Sequence, residues 1–145
     1  MKVREIIEVY AILGKAKIVK LDDEEIGKVL DARKVMRPVE SEYKAFEEDV
    51  YEKLKDDGLE EAEKIRKEVI AKFKENENYE PTECEVSALK LINEYVIKIE
   101  NAKAKELNKE VELKFDPLKK VSIRKLMKEN DWTVNETELI ESVLG

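Results

Sequence analysis

The residues of this chain best suited to chemistry with a partner are cations. Lys119, Lys120, Arg124, Lys125 and Lys128 fall within ten consecutive positions. Their type and spacing suit the binding of anionic oxygens, whether protein carboxylates or phosphates. Arg124 and Lys128 stand four apart, so a short helix presents both on one face. These five are the candidate partner-binding residues.

Catalysis has much less to work with. The chain contains no histidine, which removes Ser-His-Asp and Cys-His nucleophile pairs, the commonest general base and most catalytic zinc sites. Its single cysteine, Cys84, has no candidate base beside it. A lone cysteine forms no internal disulfide, which suits a reducing compartment. The acidic runs Asp22-Asp23-Glu24-Glu25 and Asp56-Asp57 lack the alternating oxygen donors and closing glutamate of a calcium loop, and read instead as a helix cap and a turn. Gly14, Gly27, Gly58 and Gly145 are too far apart to cradle a phosphate. The expectation is a protein without enzymatic activity, cofactor or metal.

Charge is distributed unevenly along the 145 residues. The net charge is −7, yet residues 1–21 carry five cations against two acids and residues 103–128 carry nine against four. Residues 22–57 carry seven cations against thirteen acids, and the last seventeen residues carry five acids and no cation. Two basic segments thus flank an acidic middle. If the fold brings them together, one pole of the molecule is basic.

Helices must position these charges. Charged residues make up 43% of the chain and apolar ones 42%, with only four glycines and three prolines, a composition that suits long helices with solvated faces. Val3, Ile6, Ile7, Tyr10 and Leu13 share one side of a helix over 3–13, with Gly14 placed as a left-handed C-cap. Residues 16–21 are short and β-branched, and read as a brief strand rather than more helix. Asp22 with Glu25 forms a capping box that opens a long helix reaching about Lys55. Its seam repeats every seven residues (Val29, Met36, Tyr43, Val50), with Ala32, Val39 and Phe46 three positions after the first three. Pro38 predicts a kink.

Asp56-Asp57-Gly58 ends that helix. Leu59, Ala62, Ile65, Val69 and Phe73 predict a third over 59–75, and residues 76–81 form a polar loop. Thr82 with Glu85 caps a fourth over about 83–108. Its stripe of Val86, Leu89, Ile92, Val96 and Ile99 is the natural mate for the long seam. Val111, Leu113 and Phe115 alternate with charged residues, the best strand signal in the chain. A lone strand needs a partner, and 16–19 is the plausible one. Ser122 is then expected to cap a short helix through Lys128, Asn135 to open a last one, and Trp132 to plug the C-terminal lobe.

The predicted fold is therefore mainly α. A long kinked helix packs in an antiparallel helical bundle over about 22–108, and a small two-stranded β pair with short C-terminal helices comes from 1–21 and 109–145, all within a single domain.

Three stretches resemble small helical proteins encoded in tailed-phage and prophage genomes. They are Leu21 with the helix 26–39 and the aromatics Tyr43 and Phe46, the segment Leu107-Asn-Lys-Glu-Val-Glu-Leu113, and Val121-Ser-Ile-Arg-Lys-Leu126 leading into Val134-Asn-Glu-Thr-Glu-Leu-Ile140. The resemblance implies a phage setting and no catalytic activity. The expected function is that of a structural or adaptor protein acting through protein contacts, with a protein partner, a possible homodimer and no membrane. Two alternatives are a small inhibitor of a host defence or replication protein, using the acidic helical face of 31–57, and a nucleic-acid-associated regulator using the basic pole. With no apolar run of membrane-spanning length, the expected location is the host cytoplasm, or the virion.

Overall fold

The computed structural model describes all 145 residues. Six helices follow in order: α1 (Val3–Lys15), α2 (Asp23–Lys53), α3 (Leu59–Glu75), α4 (Glu83–Leu107), α5 (Lys120–Asn130) and α6 (Val134–Leu144). All of the regular secondary structure is α-helical, and there is no sheet. None is long and apolar enough to cross a membrane. The chain divides into two compact units, one of Met1–Ala45 with Lys105–Gly145 and the other of Phe46–Ala104, so that α2 and α4 each contribute to both.

In the first unit, α1 buries Val3, Ile6, Val9 and Leu13, spaced three and four apart as a one-faced helix requires. They meet Val29, Ala32 and Met36 of α2, Ile123 and Leu126 of α5, and Ile140, Val143 and Leu144 of α6 in one core, with Leu21 and Leu118 closing it. Burying each such aliphatic side chain contributes about 1.5–3 kcal/mol before the cost of ordering it. The first half of the long seam therefore packs on α1, α5 and α6, and no residue of the α4 stripe enters that core. The expected pairing of seam with stripe fails here because α1 and the C-terminal helices offer equally apolar faces.

Gly14 also departs from expectation. It lies inside α1, and the only glycine with positive φ is Gly58. Gly14 makes no left-handed turn, and the guanidinium of Arg33 packs beside it, a terminal nitrogen lying 2.8 Å from where a Cβ would stand. Pro38 interrupts neither α2 nor its phase. The proline is exposed, so the carbonyl of exposed Lys34, which loses its usual partner, can turn to water.

The two-stranded β pair is absent. Pairing of extended backbone is limited to one antiparallel bridge between Lys2 and Glu110, where the Val111 N–H donates to the Met1 carbonyl at 2.7 Å and the Val3 N–H to the Lys109 carbonyl at 3.0 Å. The period-two signal was an extended segment, not a strand. Val111, Leu113 and Phe115 are half-buried against the core while Glu112 and Lys114 stay exposed. Ala16 is extended too, but another group takes the backbone that follows it. The Asn130 side chain accepts from the Lys17 N–H at 2.6 Å and donates to the Lys17 carbonyl at 3.1 Å, so one amide replaces a strand neighbour.

The second unit centres on α3 and α4. Leu59 and Ala62 pack with Ala88 and Ile92, flanked by Ile65, Leu91 and Tyr95. Gly58 precedes α3 with φ of 85°, a conformation that favours glycine. Thr82 and Glu85 form the reciprocal cap expected of them, at 3.1 and 3.2 Å. Of the α4 stripe, Ile92 and Ile99 are buried and Leu89 is half-buried, whereas Val86 and Val96 remain 39% and 44% exposed; Ala88, outside the stripe, is buried as well. The last turn of α2 is tied to α4 through the Tyr95 hydroxyl, which donates to the Tyr51 carbonyl at 2.6 Å, and the Lys103 ammonium, which donates to the Tyr51 hydroxyl at 2.6 Å.

Candidate functional site

Helix α5 carries the cationic cluster. Ser122, Ile123 and Leu126 are its buried residues and occupy one side at about 100° per residue. Lys120, Arg124 and Lys128 follow one another at intervals of four along the opposite side, with Lys125 beside them and Lys119 at the N-cap. All five are exposed, and none forms an ion pair. Val121, 60% exposed, lies among them on the same side. The structure thus presents the five predicted residues together on one short helix.

The mounting of that helix differs from expectation. Ser122 is not the cap. The N-cap is Lys119, whose side chain makes no capping bond, and Ser122 is buried in the third helical position. A helix start leaves backbone N–H groups without partners, and here a residue nearly a hundred positions away supplies an acceptor. The Glu25 carboxylate, 1% exposed, accepts from the Lys119 N–H at 3.1 Å, with the Ser122 hydroxyl near it. The Lys28 ammonium sits 3.4 Å from its other oxygen. Burial disfavours the charge, but the Lys119 N–H, the Ser122 hydroxyl and Lys28 together outweigh it and hold the Glu25 carboxyl below its ordinary range. The positive end of α5 adds to that preference.

The far end of α5 is clamped by Asn130, which grips Lys17 and also donates to the Leu126 carbonyl at 2.9 Å. Asp131 follows in the left-handed conformation with φ of 51° and closes the helix. The clamp carries Lys20 to Glu129, with 2.8 Å between ammonium and carboxylate. That contact raises the Lys20 pKa and lowers that of Glu129, a hydrogen bond being the main cause in each. Lys20, Lys125, Lys128 and Glu129 line an open depression of about 580 Å³. Glu129 neutralises part of this edge and leaves Lys125 and Lys128 free.

Helix α6 begins at Thr133, not Asn135. The Thr133 hydroxyl accepts from the Glu136 N–H and the Glu136 carboxylate from the Thr133 N–H, both at 3.1 Å, a Thr-x-x-Glu box that was visible in the sequence. Trp132, between the two helices, is half-buried against the core. Of the residues that organise the site, Glu25, Asn130, Lys17 and Lys20 were missed. Only Glu25 carried a signal, as the last acid of a capping box whose own helix does not use its side chain.

Elsewhere, acids near Gly58 pair with cations. Asp56 meets Lys98 at 3.0 Å and Glu60 meets Lys55 at 2.9 Å. Nowhere do three cysteine, aspartate or glutamate side chains converge as metal ligands would. Cys84 is exposed in the first turn of α4. On α2, Glu42, Glu47, Glu48, Asp49 and Glu52 are all exposed. No protein-family model, curated protein or solved structure matches this chain.

Proposed function

We propose that this chain is a non-catalytic structural or adaptor protein that works through protein contacts, with the solvent side of α5 as its contact surface. In keeping with the resemblance in its sequence, we place that role in a phage or prophage setting. The observation that carries the reading is the presentation of five unpaired cations by a helix clamped at both ends. The clamped helix fixes where the five side chains start, so binding an acidic partner orders those side chains but not the backbone that carries them. The exposed Val121 in its midst adds apolar area of the kind that a protein partner can cover and a phosphate backbone cannot.

Cross-linking of the purified protein in extracts of the producing cells tests this reading, with the charge-reversed Lys120→Glu, Arg124→Glu, Lys125→Glu, Lys128→Glu protein as the control. The expected result is one or a few protein adducts that form with the native chain and vanish with the control. Adducts that survive the reversal would move the contact surface elsewhere, the exposed acids of α2 being the next candidate.

A second reading, nucleic-acid association, is favoured by the single row of Lys120, Arg124 and Lys128. Each phosphate contact contributes about −0.9 to the slope of log affinity against log salt. Duplex binding with such a slope, lost on neutralising Lys119, Lys120, Arg124 and Lys125, would establish that reading. Absence of binding at low salt removes it.

A further inference from the structure

On a different face of the first unit, Arg33 and Arg37 of α2 stand against α1. The Arg33 guanidinium carbon lies 4.1 Å from the centre of the Tyr10 ring, a cation–π stack. The Arg37 Nε donates to the Tyr10 hydroxyl at 3.4 Å. Arg33 Nε is buried and donates to no acceptor. Neither guanidinium has a carboxylate within ion-pair distance, in a chain with more acids than cations. Two arginines four apart thus converge on one tyrosine and are held there unneutralised.

Arg33 also packs against the last turn of α1, where its terminal nitrogen would lie 2.8 Å from a Cβ on Gly14. Like charges four apart on a helix repel, and no ion pair with an acid of the chain offsets that repulsion here. With its ring occupied by Arg33 and its oxygen lone pair by Arg37, Tyr10 keeps a hydroxyl proton to donate. The terminal nitrogens of both guanidiniums likewise make no hydrogen bond within the chain. Together they suit a planar oxyanion, which arginine forks bind bidentately.

We propose that Arg33, Arg37 and Tyr10 form a carboxylate-binding site for an acidic segment of a partner protein, distinct from the face of α5. Leu30 selects this source over a phosphate. It is 56% exposed and lies three and seven positions before the two arginines, on the same side of α2. A glutamate or aspartate next to an apolar side chain would fill both features at once, whereas free phosphate or a duplex backbone would leave the leucine uncovered.

Nuclear magnetic resonance of the full chain, with its arginine side chains labelled, tests the site apart from α5. The probe is a blocked octapeptide with two Glu-Leu pairs in a Ser/Gly frame. Three comparisons accompany it: the same peptide with glutamine for glutamate, sodium phosphate, and a short DNA duplex. The acidic peptide is expected to shift the Arg33 and Arg37 Nε–H signals saturably, and the glutamine peptide to leave them unmoved. The double variant Arg33→Lys, Arg37→Lys keeps both charges but loses the forks, and is expected to weaken binding about tenfold. Tyr10→Phe keeps both arginines and the ring beneath Arg33 but removes the hydroxyl that Arg37 meets, so it should weaken binding without harming the fold. Unmoved arginine signals, or peptide affinity unchanged in both variants, would overturn the site. Equal or tighter binding of phosphate or duplex at these signals would overturn the protein segment as its ligand. Loss of cross-linking at α5 leaves all of these outcomes unchanged, so the two proposals fail separately.

Discussion

The Glu25 carboxylate accepts a hydrogen bond from the Lys119 N–H at 3.1 Å, across 94 positions of sequence. One acid in the first turn of α2 thereby caps the first turn of α5, the helix that carries the exposed cations. Position and charge are coupled at this point. The carboxylate that orients the basic helix is buried behind it, where it cannot neutralise the cations in front.

Replacing Glu25 with alanine leaves the part-buried Lys119 N–H without its acceptor. The expected cost is about 3 kcal/mol, the range for a lost charge-assisted bond plus an unsatisfied donor. Glu25→Gln, which keeps one acceptor oxygen, is expected to cost about half as much. Urea denaturation of the three proteins measures both, and equal stability of native and alanine proteins would refute the capping role.

Asn130→Ala removes both hydrogen bonds to the Lys17 backbone. Two neutral bonds at about 1 kcal/mol each suggest a loss near 2 kcal/mol. The diagnostic measurement is amide hydrogen exchange, where the Lys17 N–H should lose protection while the α1 amides keep theirs. Protection that persists in the variant would mean that something other than Asn130 holds this segment.

At Pro38 the chain tolerates a residue that a helix interior disfavours by about 3 kcal/mol relative to alanine. Pro38→Ala restores one backbone hydrogen bond but frees the unfolded chain by about 0.4–1 kcal/mol. The net expectation is a gain of about 2 kcal/mol, read as a raised melting temperature. A lower melting temperature would show that the core around Met36 and Val39 depends on the shape the proline imposes.

Acid should loosen the second unit through Glu85. Its carboxyl accepts from the Tyr79 hydroxyl, the Thr82 N–H and the Lys72 ammonium. The Tyr79 bond first, and the Thr82 bond next, lower its pKa from 4.5 to about 2. A folded-state value below the unfolded one means that the unfolded chain binds the extra proton. The contribution is therefore complete above about pH 4.5 and declines as pH falls toward about 2. Comparing the stability of native and Glu85→Gln proteins across that interval isolates the effect. The gap between them should narrow as the pH drops, and a constant gap would assign the role to packing.

Much of the helical content was legible because it follows from short-range rules. The placing of Val3, Ile6 and Leu13 on one face of α1 (Val9, also buried there, was overlooked for half-buried Ile7 and Tyr10), the Thr82-Glu85 box and the stop at Gly58 involve residues within one or two turns, where geometry is set by the helix itself. The five cations of α5 could be grouped for the same reason. Spacing alone places Lys120, Arg124 and Lys128 on one side of any helix that contains them.

Pairings between distant segments lay beyond those rules. An apolar stripe states that a face is buried, not against what, so the seam at Val29 and Met36 was matched to the wrong helix. An alternating segment shows that one side is buried, and says nothing of where its backbone hydrogen bonds go. Val111 to Phe115 packed as expected, yet Lys17 was satisfied by the amide of Asn130 instead. Helix ends follow the same logic. A backbone N–H donates to any oxygen brought near it, so the start of α5, expected to be capped by Ser122, is held by Glu25 instead, because the packing of α2 against α5 brings that carboxylate to the Lys119 N–H. The sequence encodes which surfaces and charges exist. Their partners are chosen when the helices close on one core, because burial makes each remaining donor, acceptor and charge find the nearest group that can satisfy it.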